Sequence, residues 1–380
     1  MADWMTLEDV RTAFANQVDY CRANDAGLTA SVVQAILDGI DGPGAFRARL
    51  RDWPGKPMAD ALPLRAAGGL HALHLTGAAP SLAPLYAGEA VDAGPLVNAA
   101  IDAHDAPLLP WLDGPPQTNE AARSSNYAAA MLWLAAHGLP GRFECIEIGS
   151  SAGINLMMDR YRYDLGGIAV GPDDAAMRIA PDWRGPPPPE AAVEIVALRG
   201  CDVAPIDLTD PEELLRLRAY AWPEHRVRAE RLEIAAAEAA RRAPDLVEAD
   251  AAAFVVAALA RPQAAGTTRV LMHSIVWQYL GAERQAAITD AMEVAGATAT
   301  PERPLAWIAV EANRHTFRHE LTVRRGPPGG RREAGGSIVG GEDGWTPAQG
   351  RGDEVVLSCE PTKAVCWEPT PSGRLFPPIS

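Results

Sequence analysis

The chain has 380 residues, 48% of them hydrophobic and 22% charged, with a formal net charge of −15. That length suits two compact units and a large buried core, and that charge argues against a broad electrostatic grip on a nucleic acid backbone. The five cysteines (Cys21, Cys145, Cys201, Cys359, Cys366) form no CxxC pair, so neither zinc nor a disulfide framework is expected.

The N-terminus, with Asp3, Glu8 and Asp9, shows no basic segment followed by an apolar core. No apolar run reaches membrane-spanning length. A cytoplasmic protein with no membrane or nucleic acid partner is therefore expected, and a small-molecule substrate is the default.

Residues 1–140 read as a helical region without convincing period-2 alternation. Leu7, Val10, Phe14, Val18 and Cys21 share one face of a first helix; Thr29 or Ser31 is placed to cap a second, with Val32, Val33, Ile36, Leu37 and Ile40 on its apolar side. His71 and His74 lie three apart on a predicted helix, and a metal pair there would need further ligands. Gln117, Thr118, Asn119, Glu120 and Arg123 precede a helix with Tyr127, Met131 and Leu134. That stretch serves either as helix caps or as a polar rim over the following strand.

From residue 141 onward the pattern changes. Phe143–Ile148 is a short apolar strand that breaks at Gly149-Ser150-Ser151-Ala152-Gly153. Ile154, Met157, Met158 and Tyr161 then follow at helical spacing. A strand, a tight turn and a helix start gather free main-chain N–H groups in one place. Three readings of the turn compete. It is a cofactor loop in the order Glu147-x-Gly149-x-Ser151-x-Gly153, a nucleophile elbow with Ser151 as nucleophile, or a turn that only needs small residues.

A proline-rich insertion occupies about 164–192. Further strands are predicted at Val193–Leu198, running on to Asp202, at Leu246–Ala251, at Arg269–Val276 and at Leu305–Glu311, with helices between them. This alternation predicts an α/β fold with a mostly parallel sheet. Three strands without intervening helices, at 320–323, 354–357 and 364–367, predict an antiparallel C-terminal edge. A glycine-rich loop at 326–344 separates the first two and is expected to be mobile.

The cofactor reading asks for an acid at the end of the second strand and another at the end of the third; Asp202 and Asp250 supply them. With these residues in view, the chain from about Phe143 onward resembles the class I S-adenosylmethionine (SAM)-dependent methyltransferases. That superfamily has an acidic-x-Gly-x-Gly-x-Gly loop after its first strand, an acid ending its second and Asp-Ala-like residues ending its third. The resemblance implies a Rossmann-like methyltransferase sheet under an N-terminal helical cap. It also implies SAM held by Glu147, Gly149, Ser150, Ser151, Ala152, Gly153, Asn155, Asp202, Asp250 and Ala251.

Substrate contacts are expected from Asn119, Glu120, Arg123 and Ser274, and His273 is the candidate general base. Ser151 replaces the usual middle glycine, and about 50 residues separate the loop from Asp202. The fourth strand ends in His273-Ser274, without the Asn/Asp-Pro-Pro-aromatic motif of base amino-methylases. The whole chain also resembles a bacterial family that carries only a domain-of-unknown-function label. The stretches that match are Gln117–Glu120, Glu147–Leu156, Asp159–Tyr161, Gly200–Pro205 and Trp222-Pro223. An esterase using Ser151 and an inactive methyltransferase-fold binding protein are the alternatives. A dinucleotide enzyme is disfavoured, since the loop lacks the G-x-G-x-x-G order.

Overall fold

The computed structural model describes residues 9–117, 119–313, 318–325, 336–341, 344–349 and 354–359. In chain order its helices are α1 (Val10–Ala23), α2 (Gly27–Asp38), α3 (Ala45–Arg51), α4 (Leu62–Leu75), α5 (Ala83–Tyr86), α6 (Ala93–Ala103), α7 (Asp105–Leu108), α8 (Ser124–Ala136), α9 (Pro211–Tyr220), α10 (Arg226–Arg241), α11 (Ala251–Leu259) and α12 (Ala282–Ala297). Its strands are β1 (Arg142–Ile148), β2 (Arg162–Leu165), β3 (Ile168–Val170), β4 (Arg178–Ile179), β5 (Glu194–Asp202), β6 (Leu246–Glu248), β7 (Thr268–Ser274), β8 (Leu305–Asn313), β9 (Arg318–Arg325), β10 (Gly336–Gly341), β11 (Gly344–Gln349) and β12 (Glu354–Cys359).

The chain divides into two compact units, Met1–Asn119 with Asp207–Ala236, and Glu120–Ile206 with Ala237–Ser380. The division differs from a single boundary near residue 140. Residues 120–140 go with the sheet, where α8 packs on β8. Residues 207–236 go with the helices, because α9 packs on α4 and the Ala219 carbonyl lies 3.0 Å from His71 Nδ1.

In the helical unit, Asp9 caps α1 by accepting the Thr12 N–H at 2.8 Å. The expected apolar face is buried: Val10, Phe14, Val18 and Cys21 join Val32, Val33, Ile36 and Ile40 in one core. Leu7 lies outside the described residues. Neither Thr29 nor Ser31 caps α2, which starts at Gly27. Thr29 instead donates its N–H and hydroxyl to the two carboxylate oxygens of Glu224, at 2.6 and 2.8 Å, and Ser31 bonds back to the Gly27 carbonyl. His71 and His74 stack with Tyr86, ring centroids 5.1 and 4.5 Å away, and burial pulls the His71 pKa down to about 4. Among the described residues no group of three metal-ligating side chains occurs.

The second unit is an α/β layer around a nine-stranded sheet in the order β11-β10-β12-β9-β8-β7-β1-β5-β6. The five strands from β8 to β6 are parallel, and β9 returns antiparallel against β8. β7 is buried along its whole length, as a strand covered on both faces must be. Ile146, Ile148, Leu271 and Trp307 face α11 and α12 in one apolar cluster. The alternate positions Cys145, Glu147, Met272 and Ser274 fall on the opposite face. Arg269, buried beneath α11, satisfies that helix's last carbonyls at Ala258 and Leu259 and pairs with Glu144 at 3.0 Å.

Several expected elements differ. The segment after the glycine loop is a seven-residue 3-10 helix, Ile154–Arg160, not an α-helix. The proline-rich insertion includes β3 and β4, which pair with β2 in a separate three-stranded sheet. The third parallel strand stops at Glu248, so Asp250 and Ala251 belong to the start of α11. Within 326–344 the chain forms β10 and begins β11. The strand expected at 364–367 lies outside the described residues. Among the described residues no helix is long and apolar enough to cross a membrane.

Candidate functional site at the carboxyl ends of the parallel strands

From β1 the chain moves outward through β5 to β6, and then returns on the other flank through β7 to β8. The order therefore reverses between β1 and β7. Open α/β sheets bind ligands in the crevice beyond the strand ends at such a reversal. The Gly149–Gly153 loop leaves β1 there, and Ile275–Trp277 leaves β7.

Both loops hold strained backbone. Gly149 and Gly153 have φ of +65° and +68°, values that glycine takes freely. Ser151 has φ +52° and Ile275 φ +54°. Left-handed backbone costs an L-residue about 1–2 kcal/mol, and a β-branched residue there is a true outlier. Strain of this kind persists only where neighbours over-determine it, and it gathers at functional sites.

The neighbours are identifiable. Asp202 Oδ2 accepts the Ser151 N–H at 2.8 Å, the Ser151 carbonyl accepts from Ile206 N at 3.1 Å, and the Cys201 carbonyl accepts from Ser150 N at 3.0 Å. Asp202 Oδ1 accepts from Ala204 N at 3.0 Å. Asp202 thus ties the loop to the end of β5, and each oxygen keeps one further lone-pair direction. At Gly149, a Cβ would stand 2.3 Å from Val276 Cγ2, so the missing side chain is what lets the two loops meet. At Gly200, opposite Glu147 in the register, a Cβ would stand 2.2 Å from Ser150 Oγ.

Below the loop sits a buried acid. Glu147 is 1% exposed, and its Oε1 accepts from Asn155 Nδ2 at 2.8 Å. Its Oε2 and Asn155 Oδ1 are buried acceptors with no hydrogen-bond partner among the described residues. Burial pushes the Glu147 carboxyl up to about 7, against the opposing pull of Asn155, Ser150 and Arg123. Burial holds the phenol of Tyr127, on α8, well above the ordinary range; the charges of Glu147, Glu311 and Arg123 act on it, and the Ser274 hydroxyl lies beside it. Its hydroxyl closes no hydrogen bond of sound geometry.

His273 lies on the other sheet face. Its Nδ1 is 2.7 Å from Glu311 Oε1, its ring stacks on Trp277 at 5.2 Å, and its Nε2 is buried without a partner among the described residues. The same Glu311 oxygen accepts from Val276 N and Trp277 N, each at 3.2 Å. His273 and Glu311 therefore hold the turn whose Val276 meets Gly149.

The chain belongs to the DUF2332 family, described as uncharacterized proteins conserved in bacteria; the family model matches residues 11–339. No curated protein and no solved structure matches it.

Within this DUF2332 chain, the structure brings together Glu147, Gly149, Ser150, Ser151, Ala152, Gly153, Asn155 and Asp202. Asp250 is spent elsewhere: it caps α11 by accepting from Ala252 N and Ala253 N, and it pairs with Arg284 of α12, which holds its pKa below the usual carboxylate range. Glu120 accepts the Ala122 N–H at 3.0 Å and caps the short 3-10 helix Ala121–Arg123. Arg123 and Ser274 lie with Tyr127 on the Glu147 side. Asn119 ends a segment of the helical unit.

Sequence reasoning missed Tyr127 and Glu311. Tyr127 reads as one more apolar helix position. Glu311 carried a signal, since an acid closing an apolar strand two residues past the register partner of His273 is well placed to reach it. A cleft of about 290 Å³, lined by Leu156, Arg160, Val196 and Pro244 among others, lies along the first half of β5, away from the glycine loop.

Proposed function

We propose that this protein is a SAM-dependent methyltransferase acting on a small molecule, with a Rossmann-like methyltransferase sheet as its framework. The observation that carries the reading is the buried Glu147 Oε2, an acceptor without a hydrogen-bond partner among the described residues, beside a strained glycine loop where the strand order reverses. The donor set fits the cofactor. Glu147 and Asn155 offer acceptors to its N–H groups. The loop from Gly149 to Gly153 offers main-chain surface, and Asp202 retains one lone-pair direction per oxygen for two ribose hydroxyls. Bound there, SAM supplies an electrophilic methyl group.

What remains for the chain is alignment, since such transfer depends on geometry more than on acid–base groups. Tyr127, Ser274 and Arg123 offer polar contacts for the methyl acceptor. His273 acts in this reading through Glu311 and the 275–277 turn, as a positioning residue. A thermal-shift comparison of SAM, S-adenosylhomocysteine, NAD and an acyl ester tests the assignment. Stabilisation by the first two supports it, and stabilisation by NAD alone or by none contradicts it.

One observation favours a second reading, an esterase with Ser151 as nucleophile. Ser151 has a left-handed φ directly off a strand, as a nucleophile elbow has, and a His273–Glu311 pair follows it in the chain, with histidine and acid in the reverse of the usual elbow order. Covalent labelling of Ser151 by a serine-reactive phosphonate decides between the two.

A further inference from the structure

The helical unit carries a cluster of guanidinium groups and aromatic rings that the proposed function does not use. Arg216, on α9, lies over the Trp111 ring at 5.2 Å. Trp111 in turn meets the Tyr220 ring edge-on at 5.6 Å. Arg65 lies over Trp53 at 5.3 Å, and its own donors are taken by the Asp60 and Leu112 carbonyls.

Two glycines of α4 seat the rings. A Cβ on Gly68 would stand 2.5 Å from Tyr220 Cε1, and a Cβ on Gly69 would stand 3.0 Å from Trp111 Cγ. Adjacent glycines inside a helix cost stability relative to alanine, so this sequence gives up helix propensity to hold both rings close.

The guanidiniums are not partnered alike. Arg49 pairs with Asp113 at 2.6 Å, and Asp60 is the carboxylate that acts most strongly on Arg65. Arg216 has no carboxylate within ion-pair distance among the described residues; Glu213, one turn back, is committed to the Asp207 N–H. The Tyr220 side chain is 5% exposed, and its hydroxyl makes no hydrogen bond of sound geometry while feeling both Arg216 and Arg65. Burial raises the Tyr220 pKa, so the phenol stays a neutral donor. Arg216 is thus a guanidinium without a close ion-pair partner among the described residues, beside a buried phenol, in a protein of formal net charge −15.

We infer that Arg216, held over Trp111, and the Tyr220 hydroxyl form a binding site for a monoanionic carboxylate. Arg216 presents the planar fork that pairs with a carboxylate through two N–H donors, and the Tyr220 hydroxyl supplies a third. One planar fork with one phenol donor matches the two oxygens of a carboxylate better than the three of a phosphate dianion. The site lies wholly in the helical unit and stands independently of the methyltransferase reading.

Calorimetric titration of the full chain with sodium benzoate and with inorganic phosphate, at matched ionic strength, tests it. Benzoate should bind more tightly than phosphate. Arg216→Ala should weaken benzoate by at least about tenfold, and Tyr220→Phe by several-fold, as lost charge-assisted hydrogen bonds require. Arg216→Lys keeps the charge, loses the fork and should fall between the parent and Arg216→Ala, which gives a readout if the alanine variant fails to fold. Tighter binding of phosphate, no heat with about 10 mM benzoate, or benzoate affinity indifferent to both Arg216 variants would overturn the inference.

Discussion

Asp202 Oδ2 accepts the main-chain N–H of Ser151 at 2.8 Å, and Ser151 holds a φ of +52°. The carboxylate at the end of one strand thus sustains a strained backbone at the end of its neighbour. With its other oxygen on Ala204 N, Asp202 organises both loops at once.

Asp202→Ala should therefore cost stability as well as ligand affinity. Hydrogen bonds to a charged group contribute about 1.5–3 kcal/mol each, less where solvent reaches them. A loss of about 2 kcal/mol in chemical unfolding is expected, with at least about a tenfold loss of SAM affinity. Unchanged stability would show that the clamp does not hold the loop.

Ser151→Gly should leave the fold intact or slightly stabilised. Glycine relieves about 1–2 kcal/mol of left-handed strain and returns about 0.5–1 kcal/mol through the freer unfolded chain. SAM affinity should stay within about tenfold of the parent, one lost hydroxyl bond at most. Esterase turnover in the parent that vanishes in this variant would support the elbow reading instead.

Gly149→Ala should be severely destabilising. The new Cβ meets Val276 at 2.3 Å, and φ is +65°. Left-handed strain of about 1–2 kcal/mol and overpacking of about 1–3 kcal/mol act together. A companion Val276→Ala change should recover part of the loss, and its failure to do so would show that the two loops do not meet there.

Glu147 sets a pH dependence. Its folded pKa of about 7 lies above the ordinary 4.5, so the folded state binds the proton more tightly than the unfolded state. Its stabilising contribution is complete below about 4.5 and is lost as pH rises through 7, by about 3 kcal/mol. Unfolding by urea at several pH values between 4.5 and 8 should show this loss, and Glu147→Gln should remove it. An identical pH profile in the variant would place the titrating group elsewhere.

The legible parts of this molecule were those written in local pattern. The apolar runs at 143–148 and 305–311 and the glycine spacing after Ile148 marked the sheet and its central loop. Glu147 and Asp202 were readable as strand-end acids. Asp250 was not, because an acid just past a short strand looks the same whether it faces a ligand or caps the next helix. Only the distance to Ala252 N, Ala253 N and Arg284 separates the two. Thr29 looked like a cap, but its partner Glu224 lies far along the sequence. The 3-10 form of 154–160 was also hidden, since its apolar spacing fits an α-helix equally well. The domain division escaped reading because Tyr220 and Ala219 return to α4 through side-chain packing that no periodicity records.

The crevice at Glu147 and the glycine loop should bind SAM. Isothermal titration of the folded protein with S-adenosylhomocysteine, run beside Glu147→Gln, tests it most directly. One-to-one binding is expected, with a stabilisation of roughly 2.7 kcal/mol at about a hundred times the dissociation constant. Affinity should be at least about tenfold weaker in Glu147→Gln. No heat and no shift in melting temperature at about 1 mM ligand, with the protein folded, would contradict it.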